Sequence, residues 1–249
     1  MADHGETGMG RELEGVLDSA RCEGGGDARL SQDELDGLYS TVDRRVQAAE
    51  ARPGFWWKTR STFTRRLLAL GSFGLLATCM ALFAMRPDVD TWPLWRLVAE
   101  LGSLALLLVV SVLLAIRPTH RPEPAPWISW TLVGVSLAAT FVLAALPPPH
   151  AGAILPEGMG PVQHAMPCFA MGLLLGVPIY ALARLLDRGT PLSAIVAAAA
   201  AGIAGNALLQ MHCPVNEPAH NLAGHFTVVF VFVAGVLVVE WIRRRRRSA

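Results

Sequence analysis

The chain has 249 residues, of which 53% are hydrophobic and 16% charged, against about 25% charged in an ordinary soluble domain. Its formal net charge is +1 and selects no partner by sign, but the charge is divided: residues 1–55 carry 12 Asp and Glu against 6 Arg, while the remainder is basic and ends in the run Arg243 to Arg247. Four cysteines, Cys22, Cys79, Cys168 and Cys213, are too few for a disulfide scaffold.

The N-terminus is acidic and the first apolar run begins only at Leu67. A cleavable signal would place a basic stretch and an apolar run within the first ~30 residues, so the first apolar run is read as an uncleaved anchor. Residues 1–60 are read as a cytoplasmic acidic arm. Ser31-Gln32-Asp33-Glu34 fits a capping box. Leu35, Leu38, Val42 and Val46, with Tyr39 beside them, then recur at helical spacing. The pattern predicts a helix from about Gln32 to Ala51, ended by Pro53-Gly54, and a weaker one over Arg11 to Ala20, separated from it by Gly24-Gly25-Gly26. Such helices bury little apolar surface alone, and the apolar side suits docking into a partner groove.

Residues 61–249 are read as a membrane domain. Crossing a bilayer takes about 20 mostly apolar residues. Six runs qualify: 67–85, 97–116, 127–146, 164–183, 192–211 and 222–242. The expected fold is therefore all-α, a six-helix transmembrane bundle with a short helical arm. Lys58, Arg60, Arg65 and Arg66, then Arg117 and Arg121, Arg184 and Arg188, and Arg243 to Arg247 fall on one side of the bilayer; the other side has only Arg86 and Arg96. The positive-inside rule puts the first side, with both termini, in the cytoplasm. Trp92, Trp95, Trp127, Trp130 and Trp241 sit near span ends as interfacial anchors. Pro178 is expected to kink the fourth span. The fifth span reads Ala197 to Ala201, then Gly202-Ile203-Ala204-Gly205-Asn206; such small residues let backbones approach, making this span the expected packing centre.

On that topology the soft ligands gather at the outer face. His164 and Cys168 lie at the end of the fourth span, His212 and Cys213 at the end of the fifth, His220 and His225 at the start of the sixth, and His150 in the loop before the fourth. Imidazole and thiolate suit zinc or copper, and the neighbouring Met166 and Met211 would add affinity for Cu(I). Cys168 and Cys213 are equally open to disulfide formation, given close Cα atoms. His220 and His225 are five residues apart, about 140° around a regular helix, and reach one ion only if the helix is locally broken or starts after His220. No charged residue falls mid-span, which speaks against a proton-coupled pump. No phosphate loop, HExxH or Ser-His-Asp pattern suggests an enzyme.

Cys168, Pro178, the segment Leu185-Leu186-Asp187-Arg188-Gly189-Thr190-Pro191-Leu192-Ser193, Ala201-Gly202-Ile203-Ala204-Gly205 and His212-Cys213-Pro214 together resemble the NrsF-type membrane anti-sigma factors. These are polytopic negative regulators of extracytoplasmic-function (ECF) sigma factors. Arg60-Ser61-Thr62-Phe63-Thr64-Arg65-Arg66-Leu67-Leu68-Ala69-Leu70 and Arg86-Pro87-Asp88 look like that family's segments on either side of its first span. The likeness extends to the six-helix anti-sigma proteins of light- and copper-induced carotenoid synthesis. The chain departs from the family at Gly224-His225, where an aromatic pair is common. The resemblance implies a bacterial inner-membrane protein whose arm, through Leu35, Leu38, Tyr39, Val42 and Val46, holds an ECF sigma factor. It also implies sensing at Cys168 and Cys213, with no direct nucleic-acid contact and no enzymatic activity. The alternative is a membrane protein with a His-ligated cofactor such as haem, or a metal transporter.

Overall fold

The computed structural model describes residues 31–50, 55–118, 122–146, 160–187, 190–215 and 217–248. The expected helix over Arg11 to Ala20, the glycine break, His150, Arg121 and Arg188 lie outside them. The chain divides into two compact units between Phe55 and Trp56.

In the first unit, helix α1 spans Gln32–Glu50; Ala51, its expected last residue, lies outside the described residues. Its start is the expected capping box: the Glu34 N–H donates to Ser31 Oγ at 3.3 Å, and the Ser31 N–H donates back to Glu34 Oε2 at 2.8 Å. Each bond satisfies a donor that a helix start leaves free. The Ser31 N–H and hydroxyl hold the Glu34 carboxyl below its ordinary value. Tyr39, Val42 and Val46 are exposed, and Leu35 and Leu38 half-exposed.

The second unit opens with the short α2 (Phe55–Thr59) and contains the six long helices. These are α3 (Thr62–Phe83), α4 (Leu94–Ala115), α5 (Pro126–Ala145), α6 (Pro161–Leu186) and α7 (Pro191–His212), followed by a composite sixth helix. The sixth starts as one α-turn, α8 (Pro218–His220), passes through a π-helical segment (Asn221–Phe226) and continues as α9 (Thr227–Ser248). The helices begin before the apolar runs do because their starts are set by backbone chemistry. Ser61 and Thr190 accept N–H bonds from Thr64 and Ser193, while Pro126, Pro161, Pro191 and Pro218 occupy the first helical turn, where a missing N–H costs nothing.

All six are long and apolar enough to cross a membrane, and the chain is a multi-pass membrane protein. The outer surface of the bundle supports this assignment. Leu67, Leu75, Leu82, Phe83, Leu106, Leu174, Val177, Phe230 and Val238 are exposed there, and apolar surface on that scale needs lipid rather than water. Guanidinium groups stack on tryptophans near helix ends, Arg60 on Trp56 at 3.8 Å and Arg245 on Trp241 at 3.9 Å.

Helix α7 is the packing centre, as its small residues predict. Its apolar span is 94% buried, against 11–33% for the other five, and every residue from Ser193 to Leu209 is buried. The glycines account for the closeness of its neighbours. A Cβ on Gly202 would stand 2.6 Å from Val229 Cα, and one on Gly205 would stand 2.5 Å from the Gly172 carbonyl oxygen. In both cases the obstacle is backbone, which yields only if a whole helix moves.

Both ends of the bundle are laced by arginines. At one end buried Arg65 donates to the carbonyls of Leu186 (2.8 Å) and Arg117 (3.0 Å), and Arg66 donates to those of Ile116 and Leu113 (both 2.8 Å). These oxygens lie at or just beyond the C-termini of α6 and α4, where a helix leaves its last carbonyls unpaired. Gly202→Ala is expected to cost about 1–3 kcal/mol as an overpacking change and to lower the melting temperature of the detergent-solubilised protein. Gly71→Ala, with nothing within 4 Å of the new methyl, is expected to leave it level or slightly higher. Equal melting temperatures for the two variants would contradict this account of α7.

Candidate metal centre

Cys168, Cys213, His220 and His225 come together at the end of the bundle where α6 begins and α7 finishes. One ligand atom from each lies within 4.8 Å of those of all the others. Cys168 is on α6, Cys213 caps α7, His220 closes α8, and His225 is in the π-helical segment. The Cys168 thiol donates to Cys213 Sγ across 3.6 Å, and His220 Nε2 stands 3.3 Å from Cys213 Sγ.

The π-helical segment resolves the geometric obstacle between the two histidines. In a regular helix residues five apart diverge by about 140°; hydrogen bonding from i to i+5 brings such residues back to one face. The His220 and His225 ring centroids are 5.6 Å apart. Gly224 lets this segment close on α6: a Cβ there would be 3.1 Å from the Ala165 carbonyl and 3.4 Å from Cys168 Cβ.

The cluster is dry. Cys213, His220 and His225 are buried, and Cys168 is half-buried. Neither ring nitrogen of His225, nor Nδ1 of His220, has a hydrogen-bond partner among the described residues. An unsatisfied buried polar group costs about 1–3 kcal/mol, and native structures retain few of them. Cys213, which lies just past the end of α7, has its thiol drawn below the ordinary value, first by donation from Cys168 and then by the His220 imidazole.

Of the other expected ligands, His164 and His212 stand outside the group of four. The His164 ring lies 5.6 Å from that of His220. His212 has its Nδ1 2.9 Å from the Ala84 carbonyl oxygen, a bond that ties the end of α7 to the end of α3. Met166 is on the exposed side of α6. Cys79 is exposed on α3 and is not one of the four.

Spacing along the chain gave no sign of Arg86 as a supporting residue. It is 2% exposed. Its N–H donates to the Met211 carbonyl at 2.9 Å and its Nη2 to the Pro214 carbonyl at 3.3 Å. Its guanidinium grips Asp88 with two bonds of 2.6 and 2.7 Å and holds that carboxyl below its usual range. Arg86 thus pins the α3–α4 connection to the residues flanking Cys213. The available signal was a lone arginine, followed two residues later by aspartate, on the side of the membrane that otherwise has few.

The fold and the cluster define the chain as an all-α, six-span membrane protein with a buried Cys2His2 group at one end of its bundle. No protein-family model, curated protein or solved structure matches the sequence.

With Cys22 and Cys79 replaced by serine and any metal first removed by a chelator, diamide is expected to take two electrons and two protons from the Cys168–Cys213 thiol pair and leave one intramolecular disulfide. Both thiols should disappear from a thiol titration, with no dimer on a non-reducing gel. Persistence of both thiols, or dimer as the main product, would contradict the geometry.

Proposed function

We propose that the chain is a membrane-bound anti-sigma factor that holds an ECF sigma factor through its N-terminal arm and releases it when a metal or an oxidant acts at the Cys168–Cys213 cluster. The observation that carries this reading is the convergence of Cys168 and Cys213 with two buried histidines, because these are the two cysteines to which the family resemblance assigns sensing.

Three further features support it. Helix α1 is capped and carries Tyr39, Val42 and Val46 exposed on its surface, which suits docking into an apolar groove. The acidity of residues 1–55 suits the basic surfaces with which a sigma factor meets DNA and polymerase. The distribution of arginines between the loops supports a cytoplasmic arm and a cluster on the opposite side of a bacterial inner membrane. In this reading the protein catalyses nothing. Its output is the fraction of sigma factor left free, set by the difference in affinity of two states of the bundle.

The test is capture of sigma factors from the source cell by the full-length protein in detergent. One ECF sigma factor is expected to be retained. Leu38→Asp combined with Val42→Asp is expected to weaken retention about 10- to 100-fold, as loss of interface anchors does, without changing the melting temperature of the bundle. Failure to capture any sigma factor would overturn the proposal.

A further inference from the structure

The proposed function leaves open whether the cluster handles a metal or only electrons, and which of the nearby histidines belong to it. Resting on that reading of the site, we infer that Cys168, Cys213, His220 and His225 form a closed, four-coordinate site for Zn2+, from which His164 and His212 are excluded.

Two of the six ligand–ligand separations are close to those around a tetrahedral ion, and the others lie within 4.8 Å. With Zn–S near 2.3 Å and Zn–N near 2.0–2.1 Å, two thiolates on one tetrahedron stand about 3.8 Å apart, and a thiolate and an imidazole nitrogen about 3.6 Å apart. The corresponding separations here are 3.6 Å between the sulfurs and 3.3 Å from Cys213 Sγ to His220 Nε2. A disulfide needs the sulfurs at about 2.05 Å, well inside the observed separation.

The donor set matches as well. Two thiolates and two imidazoles in a tetrahedral arrangement are a zinc set. All four positions are filled by protein, which is the mark of a site that holds its ion rather than offering it to a substrate.

Independent support comes from His225. It is 1% exposed, and neither of its ring nitrogens has a partner among the described residues. It occupies the π-helical segment, and such segments in otherwise regular helices are frequent at functional sites. An ion bound by one nitrogen of each imidazole supplies one of the two partners that His225 lacks. It also gives the irregular helix a reason to persist. Zinc held this way uses the lone pairs of both sulfurs, so occupancy and the Cys168–Cys213 disulfide exclude each other.

The probe is Co2+, which takes zinc sites and reports their geometry. The full-length protein in detergent, with Cys22 and Cys79 replaced by serine, is reduced and titrated under argon. One Co2+ per chain is expected, with the intense visible bands of a tetrahedral site and a near-ultraviolet thiolate charge-transfer band, all displaced by Zn2+. Cys168→Ser should remove about half of the charge-transfer intensity. His225→Ala should weaken Co2+ binding at least tenfold, in line with loss of a ligand. His164→Ala should leave the spectrum unchanged. Zn2+ should also protect both thiols from diamide. A weak octahedral spectrum, no binding, bands that survive both Cys168→Ser and His225→Ala, or loss of the bands in His164→Ala would overturn the assignment. Melting temperatures of the apo variants separate loss of a ligand from loss of fold. Capture of a sigma factor by the same preparation is scored separately: binding of Co2+ without capture removes only the functional reading, and capture without Co2+ binding removes only the zinc site.

Discussion

The close approach of α6 and α9 to α7 is the constraint on which the rest of the bundle depends. In a bilayer, lipid is as apolar as leucine, and helices associate through packing and polar contacts rather than through expulsion of water. The Ala- and Gly-rich sequence of α7 makes that packing tight on every side at once, so that Ser193 to Leu209 is buried without interruption. The contact at Gly172 shows how this reaches the cluster. Gly205 meets the Gly172 carbonyl, and Cys168 lies one helical turn before Gly172 on the same face of α6. The spacing that lets α6 touch α7 therefore also brings Cys168 toward the end of α7, where Cys213 stands. Gly224 repeats the arrangement nearer the start of α6, against Ala165 and Cys168.

Among the described residues the buried charges gather at the two ends of the bundle, while the buried polar groups within the spans, Ser111, Ser136, Thr140 and Asn206, are uncharged. At one end the forks of Arg65 and Arg66 take up carbonyls at the ends of α4 and α6. At the other, Arg86 takes up carbonyls on either side of Cys213 while its charge is matched by Asp88. Arginine suits both places because its planar group offers five donors in a fixed fork. Near the start of α4, Glu100 is buried but paired with Arg96 at 2.6 Å, so the charge closest to the apolar region is compensated.

Sequence reasoning read most of this fold because it rests on properties carried by single helices. Length and hydropathy mark the six spans, Ser31 and Glu34 mark a cap, and the small residues of α7 mark a packing face. The ends of the spans were displaced by a few residues because proline and hydroxyl caps, not hydropathy, decide where a helix starts. The cluster was legible only in part. Its four members were all among the six expected ligands, since chain position relative to the membrane sorts histidines and cysteines by side. Which of them meet depends on distances between helices, which spacing along one helix does not encode. His212 was indistinguishable from Cys213 in sequence, yet its ring is committed to the Ala84 carbonyl. The spacing of His220 and His225 did carry usable information: it required a break in the helix or a start after His220, and the π-helical segment is that break.

That segment also bears on how a change at the cluster could alter the distant end of the bundle. Coupling between sites requires an element with two arrangements that the signal distinguishes. Cys168 and Leu186 are 18 residues apart on α6, about 27 Å at the helical rise, with Pro178 inside that stretch, and the Leu186 carbonyl is held by Arg65 near the start of α3. Cys213 reaches Cys168 from the end of α7, and the two histidines reach it from the segment that begins the sixth helix. Returning a π turn to regular α-helix changes the register of the ladder by one residue, rotating everything beyond it by about 100° relative to what precedes it. The arrangement present keeps His225 within 4.8 Å of Cys168; the proposed release would need a second arrangement, and residues 221–226, where the helical ladder is irregular, are where the two would differ.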